Sequence, residues 1–156
     1  MLVAMRDRLE MMQEVARAKW NAGTEIVDTE RERLLLVRLV EEGKKLGLSE
    51  VETSTLMKSQ FQAAHRVQAN FHKRWSILKV DRLGTAEDLK KALATLRPQI
   101  ERQSVAVLAA YAKAKASLSS VDNLQDRINN IVTGNGIDDV VRASLLTGVR
   151  AAIEKK

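Results

Sequence analysis

The chain has 156 residues, no cysteine and a formal net charge of +6. That length suits one domain with a sizeable core. The lack of cysteine excludes a disulfide framework and a thiolate site, and no apolar run reaches the roughly 20 residues that a membrane-spanning helix needs. The positive balance leaves three classes of partner open: nucleic acid, an anionic membrane surface, or a small anionic ligand.

Aromatic residues make up 3 % of the chain and there is one proline, while strong helix formers dominate throughout. This composition predicts an all-α protein of about six helices in a single domain spanning residues 1–156. The first helix is expected over residues 2–20, with Met5, Leu9, Met12, Val15 and Ala16 as its apolar stripe. Arg8 and Lys19 lie on the same side, eleven residues apart. That spacing is close to three whole turns, so they project almost in line, about 16 Å apart at roughly 1.5 Å per residue. Both side chains are long, and their tips can lean toward one small object between them. A turn over residues 21–27 follows. The second helix, residues 29–46, has Asp28 as N-cap, acids in its first turn and Gly47 just past its end. Leu34, Val37, Leu39 and Val40 give it a broad apolar side, and Arg31 stands in its first turn. For any one of Arg8, Lys19 and Arg31, covering core surface with methylenes while the charge reaches water is the commoner role. The three together, with apolar residues between them, point to an anion pocket.

The third helix opens with the capping box Ser49-Glu50-Val51-Glu52 and continues to residue 75. Leu56, Phe61, Ala64, Phe71 and Trp75 form its apolar face, and Gln68 lies within that face. A buried amide must find a partner or cost stability. Gln68 either bonds a neighbouring backbone group or donates into the pocket, and the residues alone leave both open. A basic connection, residues 76–84, leads to the N-terminal signature Thr85-Ala86-Glu87-Asp88. The fourth helix, residues 86–117, turns Leu89, Leu93, Leu96, Ile100, Val107, Leu108 and Tyr111 inward. Pro98 lies inside it, where loss of a backbone bond and a steric clash predict a kink beside Arg97. A short fifth helix is expected over residues 121–132, capped by Ser119 or Ser120. The turn Thr133-Gly134-Asn135-Gly136 precedes a last helix over residues 137–154.

Other motifs carry little. Gly134-Asn135-Gly136 follows a helix and lacks the Lys-Ser/Thr ending of a phosphate loop. His65 and His72 are two turns apart, about 10 Å, too far for one metal ion. The basic and aromatic run from His65 to Trp75 could face nucleic acid, but a solvated helix side with buried aromatics is commoner. No nucleophile–base pair is present.

Taken in order, Arg8-Leu9, Val15-Ala16, Ala18-Lys19-Trp20, Ile26-Val27-Asp28, Arg31-Glu32, Gln60 with Ala63 and Gln68, Leu96-Arg97-Pro98 and Ile100-Glu101 resemble the all-helical (type II) chorismate mutases, specifically their exported gamma subclass. The resemblance covers most of the chain to about residue 105. It implies the chorismate mutase type II helical fold, a homodimer with each pocket formed inside one chain, and a periplasmic or secreted location. Met1-Leu2-Val3 leads straight into the first helix, so the expectation is a mature form whose leader has been removed.

The activity implied is the pericyclic rearrangement of chorismate, a dianion, to prephenate. It needs no nucleophile, metal or cofactor. It needs the substrate held in a reactive conformer and positive charge where the ether oxygen gains negative charge. By matching position, Arg8, Arg31 and Arg97 share the two carboxylates, for which guanidinium is the apt partner. Lys19 and Gln68 donate to the ether oxygen. Glu32 matches a position that binds the substrate hydroxyl in some relatives, and Asp28 contributes through its backbone nearby. Two residues depart from the family pattern: Ala64 stands where relatives often carry a hydroxyl, and His65 where lysine is frequent. The competing reading is a non-catalytic basic helical protein that binds nucleic acid. It requires the cations to form a broad exposed stripe, whereas the enzyme requires Arg8, Lys19, Arg31 and Arg97 to converge in an apolar recess, with no nucleic acid or membrane as partner.

Overall fold

The computed structural model describes residues 1–118 and 123–155. Seven helices are present among them: α1 (Leu2–Glu10), α2 (Met12–Ala22), α3 (Thr29–Lys45), α4 (Glu50–Ile77), α5 (Ala86–Leu118), α6 (Leu124–Ile131) and α7 (Asp139–Glu154). The expected first helix is thus divided at Met11. The division is slight, because Met11 keeps right-handed helical dihedrals and its carbonyl still accepts the Val15 N–H at 3.4 Å. The predicted stripe of Met5, Leu9, Met12, Val15 and Ala16 is buried along both pieces.

Helix ends fall where local chemistry places them. α2 stops at Gly23, whose φ of 66° is open to glycine at little cost. Thr24 N–H reaches back to the Lys19 carbonyl at 3.0 Å and Gly23 N–H to that of Trp20 at 3.1 Å, a Schellman closure. The chain therefore turns away one helical turn beyond Lys19. α3 ends the same way at Gly47, with Leu48 N–H on the Gly43 carbonyl at 2.9 Å and Gly47 N–H on that of Lys44 at 3.0 Å. The capping box at the start of α4 is complete: Glu52 N–H donates to Ser49 Oγ at 3.1 Å and Ser49 N–H to Glu52 Oε2 at 2.9 Å. A cap of this kind stabilises a helix by about 1 kcal/mol. α5 runs through Pro98 as one element; the bend expected there does not divide it. The Ser119 or Ser120 cap and the start of the next helix at Val121 lie outside the described residues.

α4 packs against α7 most extensively and also against α2 and α3, while α5 lies across α1, α2 and α3. The segment α1–α2 and the helix α3 thus bridge α4 and α5. Close approach is built in at two glycines. A Cβ on Gly43 would come to 2.2 Å of Thr53 Oγ1, and one on Gly148 to 2.0 Å of Ser59 Oγ. α3 and α7 can lie down on α4 only because those positions carry no side chain.

One expectation about the core is corrected. Leu34 and Val37 are 42 % and 56 % exposed. α3 buries Leu35, Leu39, Val40 and Gly43, so Leu39 and Val40 lie inside as expected, and this narrow stripe leaves Leu34 and Val37 on the flanks. No helix among the described residues is long and apolar enough to cross a membrane.

Candidate active site

Between α1–α2, α3, α4 and α5 lies a recess with about 630 Å³ of empty space counted out to its mouth. All seven residues singled out in the sequence line it: Arg8, Lys19, Asp28, Arg31, Glu32, Gln68 and Arg97. Its walls are apolar, chiefly Met12, Val15, Leu35, Phe61 and Leu93. The four cations that separate the two readings of the sequence therefore share one concave site. α6 and α7 contribute no lining residue, so the last two helices support α4 and α1 from outside.

Two cations form the floor. Arg8 is 2 % exposed. Its Nε donates to Ser104 Oγ at 3.0 Å and a terminal nitrogen to the Gln60 carbonyl at 3.1 Å. The guanidinium carbon sits 5.6 Å from the centre of the Phe61 ring. Lys19, 9 % exposed, donates through Nζ to the Ile26 carbonyl in the turn between α2 and α3. Every one of these acceptors is neutral, and neither cation has a carboxylate within 4.0 Å among the described residues. Burial pushes the Arg8 guanidinium down to about 10, with the charge of Glu32 opposing the shift. Burial likewise lowers Lys19; Asp28 and Glu32 oppose and Arg97 adds.

The other two cations form the rim and have acidic company. Arg97 reaches Asp28 Oδ2 at 3.4 Å. Arg31 lies 3.9 Å from Glu101 Oε2, and Glu101 is itself held by Arg38 through two bonds of 2.7 and 3.0 Å. Burial, then the neighbouring charges of Arg38 and Arg97, lower Arg31. Asp28 also caps α3, its Oδ1 accepting the Arg31 N–H at 3.1 Å.

Gln68 is 4 % exposed. Its amide nitrogen donates to the Ala64 carbonyl at 3.3 Å and approaches Met12 Sδ at 3.6 Å, while its Oε1 is buried without a partner among the described residues. Of the two possibilities left open in the sequence, the bond to a neighbouring backbone group is the one present; donation into the recess needs the amide turned. Rotating the amide by half a turn exchanges oxygen and nitrogen at little steric cost.

Ser104 and His65 were not among the predicted site residues. Ser104 is wholly buried and its hydroxyl donates to the Ile100 carbonyl at 2.8 Å, which leaves its oxygen free to accept from Arg8. The signal in the sequence was a polar residue inside the stripe of Ile100, Val107, Leu108 and Tyr111, the same signal that marks Gln68. His65 Nε2 meets Glu32 Oε1 across the recess. The other histidine, His72, is engaged with the Ala16 carbonyl at 2.9 Å and stacks edge-on with Trp20.

Comparison with known proteins bears on this arrangement. Residues 1–69 match the family described as chorismate mutase type II. No curated protein sequence matches the chain. The secreted chorismate mutase from Yersinia pestis superposes with a TM-score of 0.80 over 96 % of this chain and 94 % of its own, at 19 % identity. The chorismate mutase from Burkholderia thailandensis does so with a TM-score of 0.73 over 97 % and 96 %, at 25 % identity. That from Burkholderia phymatum also gives 0.73, over 97 % and 92 %, at 18 % identity. Residues 1–69 thus match the chorismate mutase type II family, and over nearly its whole length the chain has the all-helical fold of chorismate mutases.

Proposed function

We propose that this chain is a chorismate mutase, an isomerase that rearranges chorismate to prephenate in the recess between α2, α3, α4 and α5. The observation that carries the reading is the pair of buried cations, Arg8 and Lys19, which among the described residues bond neutral acceptors alone. Burying a charge without a counter-charge destabilises a fold. A site that accepts this cost is suited to an anionic ligand that supplies the missing charge.

The reaction breaks a carbon–oxygen ether bond and forms a carbon–carbon bond within one molecule. In this reading Arg8, Arg31 and Arg97 bind the two carboxylates and hold the compact conformer in which the reacting ends meet. Lys19 donates to the ether oxygen as it gains charge, in a water-poor site where that interaction is strong. Gln68 is the second donor, once its amide nitrogen turns from Ala64 toward the ligand. Glu32 accepts from the substrate hydroxyl, and Asp28 contributes through the backbone it caps. With this reading go the exported (gamma) subclass and a single domain over residues 1–156, as the resemblance implies, and a periplasmic or secreted location, for which the likeness to the secreted chorismate mutase from Yersinia pestis is the support. A homodimer is the assembly proposed with it; light scattering at twice 17.4 kDa would support the dimer and a monomer mass would overturn it.

The test of the activity is direct. Purified protein is mixed with chorismate and its absorbance is followed in the ultraviolet, with prephenate identified as product. Enzyme-dependent loss of chorismate is the expected result. No turnover by the folded protein would overturn the reading.

A further inference from the structure

His65 sits on α4 and Glu32 on α3, and their side chains meet inside the recess. An ionised carboxylate only accepts, so the ring hydrogen lies on Nε2 and the imidazole donates to Glu32 Oε1. The two side chains are 26 % and 29 % exposed, so water competes only partly with the contact.

Where the Glu32 carboxylate points matters, because it is the acidic group whose charge is felt at both floor cations. Neither cation pairs with it. Arg8 is bound to Ser104 and Gln60, and Lys19 to Ile26. In a recess walled by Met12, Val15, Leu35 and Phe61 an unpaired cation attracts a mobile carboxylate strongly. A glutamate released from His65 has three side-chain torsions with which to reach Lys19 or Arg8. Such a pair would cancel charge that the substrate's carboxylates and ether oxygen require.

We propose that His65 is a positioning residue: by donating to Glu32 it holds that carboxylate off Arg8 and Lys19 and leaves their charge for the dianionic substrate. The inference rests on the chorismate mutase reading and adds to it a residue that acts on the chemistry through Glu32. It also gives a physical use to a position at which the family often carries lysine.

A double-mutant cycle tests it. KM and kcat for chorismate are measured on wild type, His65→Leu, His65→Gln, Glu32→Gln and the double variant His65→Leu/Glu32→Gln. Removing the donor frees Glu32, so His65→Leu raises KM about tenfold, the size of coupling common between residues in contact. His65→Gln places an amide nitrogen near the lost Nε2 and stays within about twofold of wild type. In the Glu32→Gln background there is no charge to misplace, and His65→Leu then adds nothing. His65→Asn is too short to reach Glu32 and behaves like His65→Leu; it takes over that arm if the leucine variant does not fold. An unchanged KM in His65→Leu, an equal effect with and without the Glu32 charge, or failure of His65→Gln to restore KM would each overturn the inference while leaving the activity standing. A folded wild type that leaves chorismate intact would instead remove the reading beneath it.

Discussion

The floor and the rim of the recess hold two cations each, and they treat charge in opposite ways. On the rim, Arg97 and Arg31 face Asp28 and Glu101 at 3.4 and 3.9 Å, near enough to water that such contacts contribute little to stability. On the floor, Arg8 and Lys19 are almost wholly buried and bond a hydroxyl and two backbone carbonyls. The rim cations can exchange one anion for another as a ligand enters. The floor cations have no anion to give up, and a ligand's charge adds to their stability without displacing a protein group. The site thus combines an exchangeable entrance with a preorganised interior, which is where electrostatic stabilisation of a transition state is largest.

That contrast can be broken most severely at Lys19. Lys19→Ala removes the charge expected at the ether oxygen, and kcat/KM for chorismate should fall by about 10³-fold or more, with helical content by circular dichroism unchanged. The pH profile is the next lever. In the proposed mechanism activity needs charged Lys19, and burial lowers the point at which that charge is lost. Activity should therefore hold from neutral to mildly alkaline pH and decline on the alkaline side below the ordinary lysine range. Gln68→Glu should invert this behaviour. A glutamate can donate only while protonated, so activity of that variant should fall as pH rises from about 5 to about 8; a flat profile would remove Gln68 from the chemistry. The rim should give the smallest effect. Arg97→Lys keeps the charge and loses the fork, and a drop in kcat/KM of about tenfold is expected, with the loss growing as salt is added.

Much of this division was legible in the residues before the fold was known. The eleven-residue spacing of Arg8 and Lys19 placed them on one helix face, and the Gly23 closure explains why the next helix brings Arg31 back beside them. Helix ends at Gly47 and Ser49 followed from capping chemistry alone. The resemblance to the family carried the rest of the site, because Arg97 lies 69 residues beyond Asp28 and no local pattern says that they meet. What escaped was the set of partners. Ser104 under Arg8, the Arg38–Glu101 pair behind Arg31 and the His65–Glu32 contact all join different helices, and periodicity within one helix cannot register one helix on another. Leu34 and Val37 were misplaced for a related reason: an apolar side of α3 was visible, but how wide a stripe α4 would cover was set by the close approach at Gly43.

The most direct test of the floor's role is Arg8→Met, assayed for both activity and stability. A shift of the guanidinium to about 10 corresponds to roughly 3 kcal/mol of burial cost at neutral pH, where Arg8 is charged both folded and unfolded. Because the folded value is the depressed one, the cost is constant below it and shrinks only as pH rises through it. Methionine fills similar space without a charge. The groups left behind stay satisfied, since Ser104 keeps its bond to Ile100 and the Gln60 carbonyl lies within α4. The account predicts that Arg8→Met loses chorismate turnover by about 10²-fold or more and melts about 2–6 °C higher than wild type. A variant that melts lower, or one that keeps its activity, would contradict the claim that the floor holds uncompensated charge for its ligand.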